Sequence, residues 1–591
     1  MGRSRKTERE LIDTNDYGLT KGIAVIEDIN PISLSFERRD VYYDIVNCIR
    51  NMDYAGKAIC LSGLRRTGKS TILNQIYAQP EQIGLRRDNL LYIKLSAVSG
   101  SGRIVDRDHL DLRKINDGTD LRYPSLMEVW QFVNRQMAYR GDIQCILIDE
   151  VTLCRDLIMS GKGLLDQLID SGKIVILAGT ESASFHAADE QSLYTRLLIK
   201  DTSYIPFGEY CRLKHIPLNT LEEKQNAIDK YIVHGNVLDC IQISEEYIES
   251  AIGVNLALSI INSDYEEFIS FPENCTKDFV QDIIKYIKLI GENISVQSIK
   301  EQITRGDLSR AVSNENSRRK KQGKELIRLS KAEINDIVEK GAEKVFCKYN
   351  MDLGISAVNL SSDQLYRIDS LFGEMGLIYD INIVPELDKR TNGSIQAEDI
   401  CILNSLSMLI GKGIMQEIAD NCDGLNEDDK IILIENMESA LKGRLLESII
   451  AAQYIKEYEK EKELKECLVY YSKNGQSFGR KCARYKLYKY NNKIVEEDKI
   501  VKAEIDLIRF DENGSLSLIE IKKSTQIVPE QTRWLKNGTV MNEIGDCLSD
   551  SREYKKYVYY MGESCIVDGI QYQNIADVLM NHYKEKMEIL L

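Results

Sequence analysis

The sequence predicts an α/β chain of three units: an N-terminal parallel sheet flanked by helices, a helical middle, and a C-terminal mixed α/β domain. Three observations carry this. A glycine loop, Gly63 to Ser70, joins an apolar strand to a helical run. Apolar runs recur at Asn89–Ser96, Cys145–Glu150 and Lys173–Thr180, each of the length and character of a strand buried on both faces. Near the end, Lys502–Lys522 alternates polar and apolar residues about Glu512-Asn513-Gly514, the pattern of a β-hairpin.

Length and composition bound the rest. A chain of 591 residues exceeds one core at about 100–200 residues per domain. Its 43% hydrophobic and 29% charged residues are those of a globular protein. No run of about 18 apolar residues suits a membrane span. The first ten residues are polar, with no apolar h-region, and Lys6 stands where a myristoylation signal needs Ser or Thr. A cytoplasmic location and no membrane partner are therefore expected. The 14 cysteines are scattered without a C-x-x-C pair, as reduced core thiols are, and the five histidines show no zinc-ligand spacing. A net charge of −15 argues against indiscriminate coating of nucleic acid, which depends on phosphate neutralisation. Local basic clusters at Arg318–Lys321 with Lys324, and at Arg480–Tyr490, leave room for a basic groove.

Gly63 to Ser70 fits G-x-x-x-x-G-K-[ST] in the strand-to-helix setting that motif requires. Glycines let the loop wrap without Cβ clashes, backbone N–H groups turn inward, and the helix offers its positive end. This is a triphosphate cradle. Gly63, Arg65, Arg66, Thr67, Gly68, Lys69, Ser70 and Thr71 are the candidate ATP contacts, with Lys69 for the β- and γ-phosphates and Ser70 for Mg²⁺. The strand Cys145–Asp149 ends in Asp149-Glu150: Asp149 suits Mg²⁺, and Glu150 suits orienting and deprotonating the attacking water. Thr180 ends the next strand at the carboxyl edge, where ligands of open sheets gather, and is the candidate γ-phosphate sensor. Leu193–Arg196 reads as a short helical segment and Tyr204–Tyr210 as a strand and turn.

The order of P-loop with internal arginines, Ile148-Asp149-Glu150, a strand ending Gly179-Thr180, Arg196 and then Pro206-Phe207-Gly208-Glu209-Tyr210 resembles the archaeal-type AAA+/STAND-like ATPases. The resemblance spans residues 31–215 and extends loosely beyond. It implies an arginine at 196 that senses or fingers ATP, although Leu193-Tyr194-Thr195 precedes it where the family usually has a glycine. It also implies a winged helix in the middle region and a C-terminal nuclease-like domain.

Residues 216–435 show helical spacing. Ser361–Leu365 opens a helix whose face is Leu365, Ile368, Leu371, Phe372 and Met375; Gly376 stops it, and the strand Leu377–Ile381 follows, an order that suits a winged helix. Asn314–Lys324, polar and without apolar anchors, reads as a loop.

In the C-terminal hairpin, Glu520 and Lys522 share a face of the second strand. A two-residue turn would pair Asp506 with Ile521 and aim it away. A three-residue loop with Gly514 left-handed pairs Ile508 with Leu518, Phe510 with Leu516 and Asp506 with Glu520, and this register is the one predicted. Facing carboxylates repel unless a cation lies between them, so Asp506 and Glu520 are candidate Mg²⁺ ligands, with Lys522 beside them to orient or activate water. The pattern resembles the PD-(D/E)xK restriction-endonuclease-like fold, with Ile505-Asp506 in place of Pro-Asp. By that resemblance the helix around Gly443–Ile450 is the first of the fold, and Glu447 an extra acid.

The expected organisation is an extension (1–30), an AAA+ core (31–215), a helical and winged-helix connector (216–435) and a nuclease-like domain (436–591). The expected activity is ATP binding and hydrolysis coupled to a Mg²⁺-dependent nuclease acting on DNA or RNA, in a chain able to form homo-oligomers, with defence against foreign nucleic acid as the setting that architecture suggests. Two alternatives stand beside it: a regulator whose last domain is inactive and binds DNA or protein, and an interaction switch holding ATP as a structural ligand.

Overall fold

The computed structural model describes residues 18–29, 31–64, 66–99, 104–105, 121–154, 156–179, 196–235, 316, 319–320, 331–352, 378–384, 397–401, 404–462, 470–471, 477–478, 482–490, 499–510, 516–548 and 554–590. In chain order, the N-terminal half contains β1 (Ile23–Val25), α1 (Pro31–Ser35), α2 (Asp40–Arg50), β2 (Ala58–Ser62), α3 (Lys69–Ala78), β3 (Leu90–Leu95) and α4 (Leu126–Arg140). There follow β4 (Cys145–Asp149), α5 (Leu157–Asp170), β5 (Ile174–Ala178), β6 (Leu197–Asp201), α6 (Phe207–Leu213) and α7 (Leu221–His234).

Six strands form one sheet in the order β1-β3-β4-β5-β2-β6. β1 is antiparallel to β3, and every other pair is parallel. Alternation explains why the strands are apolar throughout. Cys60, Leu91, Ile93, Ile146, Ile148, Val175 and Leu177 pack on one side with residues of α4 and α5. Ile59, Leu61, Tyr92, Leu147 and Ile176 pack on the other with residues of α2 and α3. Full burial of a side chain such as Leu61 contributes about 1.5–3 kcal/mol, and both faces draw on it. Sheet order places β2 between β5 and the edge strand β6, so the loop after β2 opens at the carboxyl edge with ladders on both sides.

Two elements differ from the sequence reading. β6 was not anticipated: Leu197–Asp201 continues from Arg196 as an edge strand beside β2. Of Tyr204–Tyr210, expected as a strand and turn, the part from Phe207 onward belongs to the helix α6, with Pro206 extended just before the first turn. Proline tolerates that position because its missing N–H is not needed there.

The second half comprises α8 (Lys331–Asp352), β7 (Ile378–Val384), β8 (Ala397–Cys401), α9 (Asn404–Asp420), the 36-residue α10 (Glu427–Lys462), β9 (Cys482–Tyr490), β10 (Lys499–Phe510) and β11 (Leu516–Lys522). It continues with α11 (Gly538–Leu548), β12 (Tyr554–Tyr560), β13 (Cys565–Val567), β14 (Ile570–Asn574) and α12 (Ile575–Leu590). Eight strands make a mixed sheet ordered β8-β7-β9-β10-β11-β12-β14-β13. Ile508, Leu516, Leu518, Val558, Tyr560 and Tyr572 form its core with Leu535, Val540 and Ile544 from around α11.

This sheet redraws the expected division. The strand read as the wing of a winged helix is β7, which lies parallel to β9 inside the eight-stranded sheet, so residues assigned to the connector belong to the C-terminal sheet. The boundary at 435/436 falls within α10, because that helix runs unbroken from Glu427. Residues 361–376, the helix of that proposed winged helix, lie outside the described residues. Within the stretch read as a loop, Asn316, Arg319 and Lys320 are helical, and Arg319 pairs with Asp429. Among the described residues no helix is long and apolar enough to cross a membrane.

Candidate functional site

The loop between β2 and α3 forms the first candidate site. Gly63 has φ +138° and Gly68 φ +90°, values that side-chain-bearing residues rarely adopt. A Cβ on Gly63 would lie 2.5 Å from Thr202 Oγ1, so the loop closes against the segment after β6 only because that atom is missing. Lys69 begins α3 and donates from Nζ to the carbonyls of Gly63 (2.8 Å) and Leu64 (2.6 Å), inside the loop it serves. Thr67 donates from Oγ1 to Leu64 O at 2.8 Å. Arg66 is exposed with φ +61°, and Thr71 is half-buried on α3.

Asp149 ends β4, 2% exposed. Burial, then the neighbouring Glu150, pushes its carboxyl up to about 6, while the Ser70 hydroxyl bonded to it and the charges of Lys94 and Lys69 act the other way. The Tyr92 hydroxyl donates to Asp149 Oδ2 at 3.4 Å. Glu150 follows in the left-handed region at φ +59°, a conformation uncommon for glutamate and found disproportionately at functional positions. The residues fit Mg²⁺ and a triphosphate: a cradle that a Cβ would fill, a lysine within it, and the hard oxygens of Ser70 and Asp149 in hydrogen-bond contact. Arg65 and Thr180 lie outside the described residues; Gly179, before Thr180, donates to Leu61 O at the end of β2.

Arg196 is elsewhere. Its backbone carbonyl accepts from Ala58 N, the first residue of β2, and its guanidinium reaches Asp166 (3.0 Å), Asp170 (3.8 Å) and Gly56 O (3.2 Å). Those contacts lie at the amino edge of the sheet, whereas Lys69 lies at the carboxyl edge. The structure therefore does not bring Arg196 to its own chain's nucleotide site, which corrects the sensor expectation within one chain.

A brace that the motifs do not contain supports the loop. Arg39, just before α2, donates to Thr67 O (2.8 Å), Thr202 O (3.2 Å) and Tyr204 O (3.3 Å), and pairs with Glu209 of α6. Thr67 and Thr202 hydroxyls meet at 2.6 Å, and Leu64 N donates to Ser203 Oγ at 3.0 Å. Arg39 and Glu209 are both buried, and fully paired buried ions fix a geometry. Glu209 is the glutamate of the Pro206–Tyr210 element; nothing in the sequence marked Arg39.

The second candidate site lies where β10 and β11 part. Ile508 pairs with Leu518 and Phe510 with Leu516, the register expected of the longer loop. The ladder runs as far as Leu507 opposite Ile519, and on the other side β10 carries one residue more than β9 between Ile505 and Ile508. Such a bulge re-aims a side chain. Asp506 accordingly replaces a backbone partner, accepting from Ile521 N at 2.7 Å. Lys522 Nζ lies 2.7 Å from Asp506 Oδ2 and 2.7 Å from Glu520 Oε2. Burial pushes the Lys522 ammonium down, but Asp506 and Glu520 outweigh it and hold the group well above the usual range. Burial raises the Glu520 carboxyl well above its usual range against the pull of Lys522, with Asp506 adding to the rise. Glu447 of α10 accepts from Arg444 at 3.0 Å and acts on Lys522 through its charge.

Among the described residues no three His, Cys, Asp or Glu side chains converge as a metal cluster. Two carboxylates do approach one point, and Glu520 Oε1 is buried with no hydrogen-bond partner. That free hard oxygen fits a divalent cation such as Mg²⁺, with Asp506 and Glu520 as the residues that would hold it.

Residues 55–211 match the family model described as AAA domain. This segment is similar to AAA domains, and the match supports a P-loop fold there. No curated protein matches the chain. Among solved structures, the Orc1 protein of Aeropyrum pernix in complex with DNA is similar over 64% of this chain and 96% of its own, at 12% identity and a TM-score of 0.20. At that score the likeness carries no argument about fold or ligand.

Proposed function

We propose that the AAA+ domain binds and slowly hydrolyses ATP with Mg²⁺, and that its nucleotide state governs a C-terminal Mg²⁺-dependent nuclease-like domain acting on DNA or RNA, with defence against foreign nucleic acid as its setting. In the ATPase, Lys69 and the loop N–H groups neutralise phosphate charge, Ser70 and Asp149 hold the cation, and Glu150 orients water; phosphoryl transfer needs such positioning more than covalent help.

The observation that carries the nuclease reading is the convergence of Asp506, Glu520 and Lys522 beside the bulge in β10. Bound Mg²⁺ there would neutralise phosphodiester charge and acidify a water. Lys522, its proton held by two carboxylates, stays an ammonium. Its role is then to stabilise charge on the phosphate rather than to act as the base.

A second reading is favoured by one specific observation: the Lys522 ammonium already occupies the point between the two carboxyl groups and offsets one of their charges. A domain so occupied serves as an inactive binding module, and the chain as an ATP-dependent regulator or scaffold. Cleavage of plasmid, linear and single-stranded DNA and of RNA, with Mg²⁺ or Mn²⁺ and with or without ATP, separates the two. Metal-dependent cutting lost in Asp506→Ala supports the nuclease; no cutting with ATP turnover intact supports the regulator.

A further inference from the structure

The brace behind the P-loop does not end within the ATPase domain. Asp40 follows Arg39 in the chain, and its backbone N–H donates to the same Glu209 oxygen that Arg39 engages (3.0 Å). The Asp40 carboxylate, 1% exposed, accepts from Arg212 Nη2 (2.9 Å) and from the hydroxyl of Tyr583 (3.1 Å). Arg212 Nε also donates to that hydroxyl at 3.0 Å. Tyr583 belongs to α12, the last helix of the chain. Its ring occupies the space over Gly208, where an added Cβ would come 2.1 Å from Tyr583 Cγ. One turn and a half of α6 thus carries the acid that anchors the brace, the glycine that admits the ring and the arginine that meets the hydroxyl.

We propose that Tyr583 is a positioning residue of the ATPase site, contributed by the C-terminal domain. It fixes Asp40, and with it Arg39, whose guanidinium holds the carbonyl of Thr67 inside the P-loop. Docking of α12 and nucleotide binding are then two ends of one network. Lys224 with Asp577 (2.6 Å), Gln225 with Met561 O (3.0 Å) and Lys523 with Asp229 (3.0 Å) hold the same interface, the last involving the residue next to Lys522. The proposal rests on the ATPase domain and is independent of whether the C-terminal site cuts nucleic acid.

Linkage makes the coupling reciprocal: if docked α12 tightens nucleotide binding by a factor, nucleotide tightens docking by the same factor, typically about 5- to 150-fold. Tyr583→Phe keeps the ring over Gly208 and removes the hydroxyl. In the full-length protein it is expected to raise the KM for ATP about fivefold or more with kcat little changed, whereas a tyrosine that merely stabilised the fold would lower the active fraction and leave KM alone. Lys536→Ala, which breaks a surface pair with Asp568 away from the network, is expected to leave both unchanged. In the wild type, amide exchange across Ile575–Leu590 is expected to slow with ADP or a non-hydrolysable ATP analogue plus Mg²⁺, and not in Lys69→Ala. An unchanged KM in Tyr583→Phe, or exchange in α12 indifferent to nucleotide, overturns the proposal.

Discussion

Asp506 and Glu520 share one ammonium: Lys522 Nζ stands 2.7 Å from an oxygen of each. Lys522→Met leaves the buried pair of Asp506 and Glu520 without its counter-charge, a change of the kind that costs about 3–5 kcal/mol. Because the folded-state value of Glu520 is raised, the folded protein keeps a proton that the unfolded chain has released between the two values. Stability contributed by this group is present at low pH and falls as pH rises through that window. Urea unfolding followed across a pH series should show the deficit of the Met variant growing as pH rises through the window of Glu520; a deficit independent of pH over the whole stable range would exclude the shared-ammonium account.

If a divalent cation enters this site, it should stabilise the nucleotide-free protein by an amount set by mass action, about 2.7 kcal/mol at a hundredfold excess over its dissociation constant. Thermal unfolding with Mg²⁺ or Mn²⁺ should show the gain in wild type and its loss in Glu520→Gln. A gain of equal size in both would place the cation elsewhere.

The ATPase sheet was legible because its strands are buried on both faces, and Leu90–Leu95, Cys145–Asp149 and Ile174–Ala178 therefore stand out as apolar runs. The hairpin register was legible because Leu516, Leu518 and Ile508 must share a core face. The bulge was not, since an extra residue in β10 leaves no mark in an alternating pattern. β7 was misassigned because a strand's partner depends on distant residues, here β9 about a hundred positions away. Arg39 and Arg196 show the same limit: each is an arginine near an element end, and only the sheet order shows that the first reaches the P-loop and the second the opposite edge.

The titration of Asp149 near 6 in the metal-free protein predicts competition between a proton and Mg²⁺. The folded state holds the proton between the unfolded value near 3.8 and about 6, so the carboxylate becomes available to a cation as pH rises through that window. Affinity for Mg²⁺-ATP should weaken up to about tenfold for each pH unit below 6, with metal-free ATP affected far less. Asp149→Asn should remove the metal-dependent difference. Binding isotherms at pH 5, 6 and 7.5 check this, and a flat profile for the Mg²⁺ complex would refute it.

Arg196 provides the sharpest contrast between motif and fold. Its partners Asp166 and Asp170 and the Gly56 carbonyl are at the amino edge of the sheet, and its side chain is about one-third exposed. Partly exposed pairs of this kind contribute up to about 1 kcal/mol. Arg196→Ala should therefore lower stability slightly and leave ATP turnover by the isolated chain intact, where Lys69→Ala abolishes it. An arginine supplied to a neighbour's site would instead contribute about 10³–10⁵ in rate, so turnover measured across a protein concentration series decides between the two. If wild-type activity per chain rises with concentration and the variant's does not, Arg196 acts on a second copy; if the two curves coincide, it is a structural ion pair holding β6 against α5.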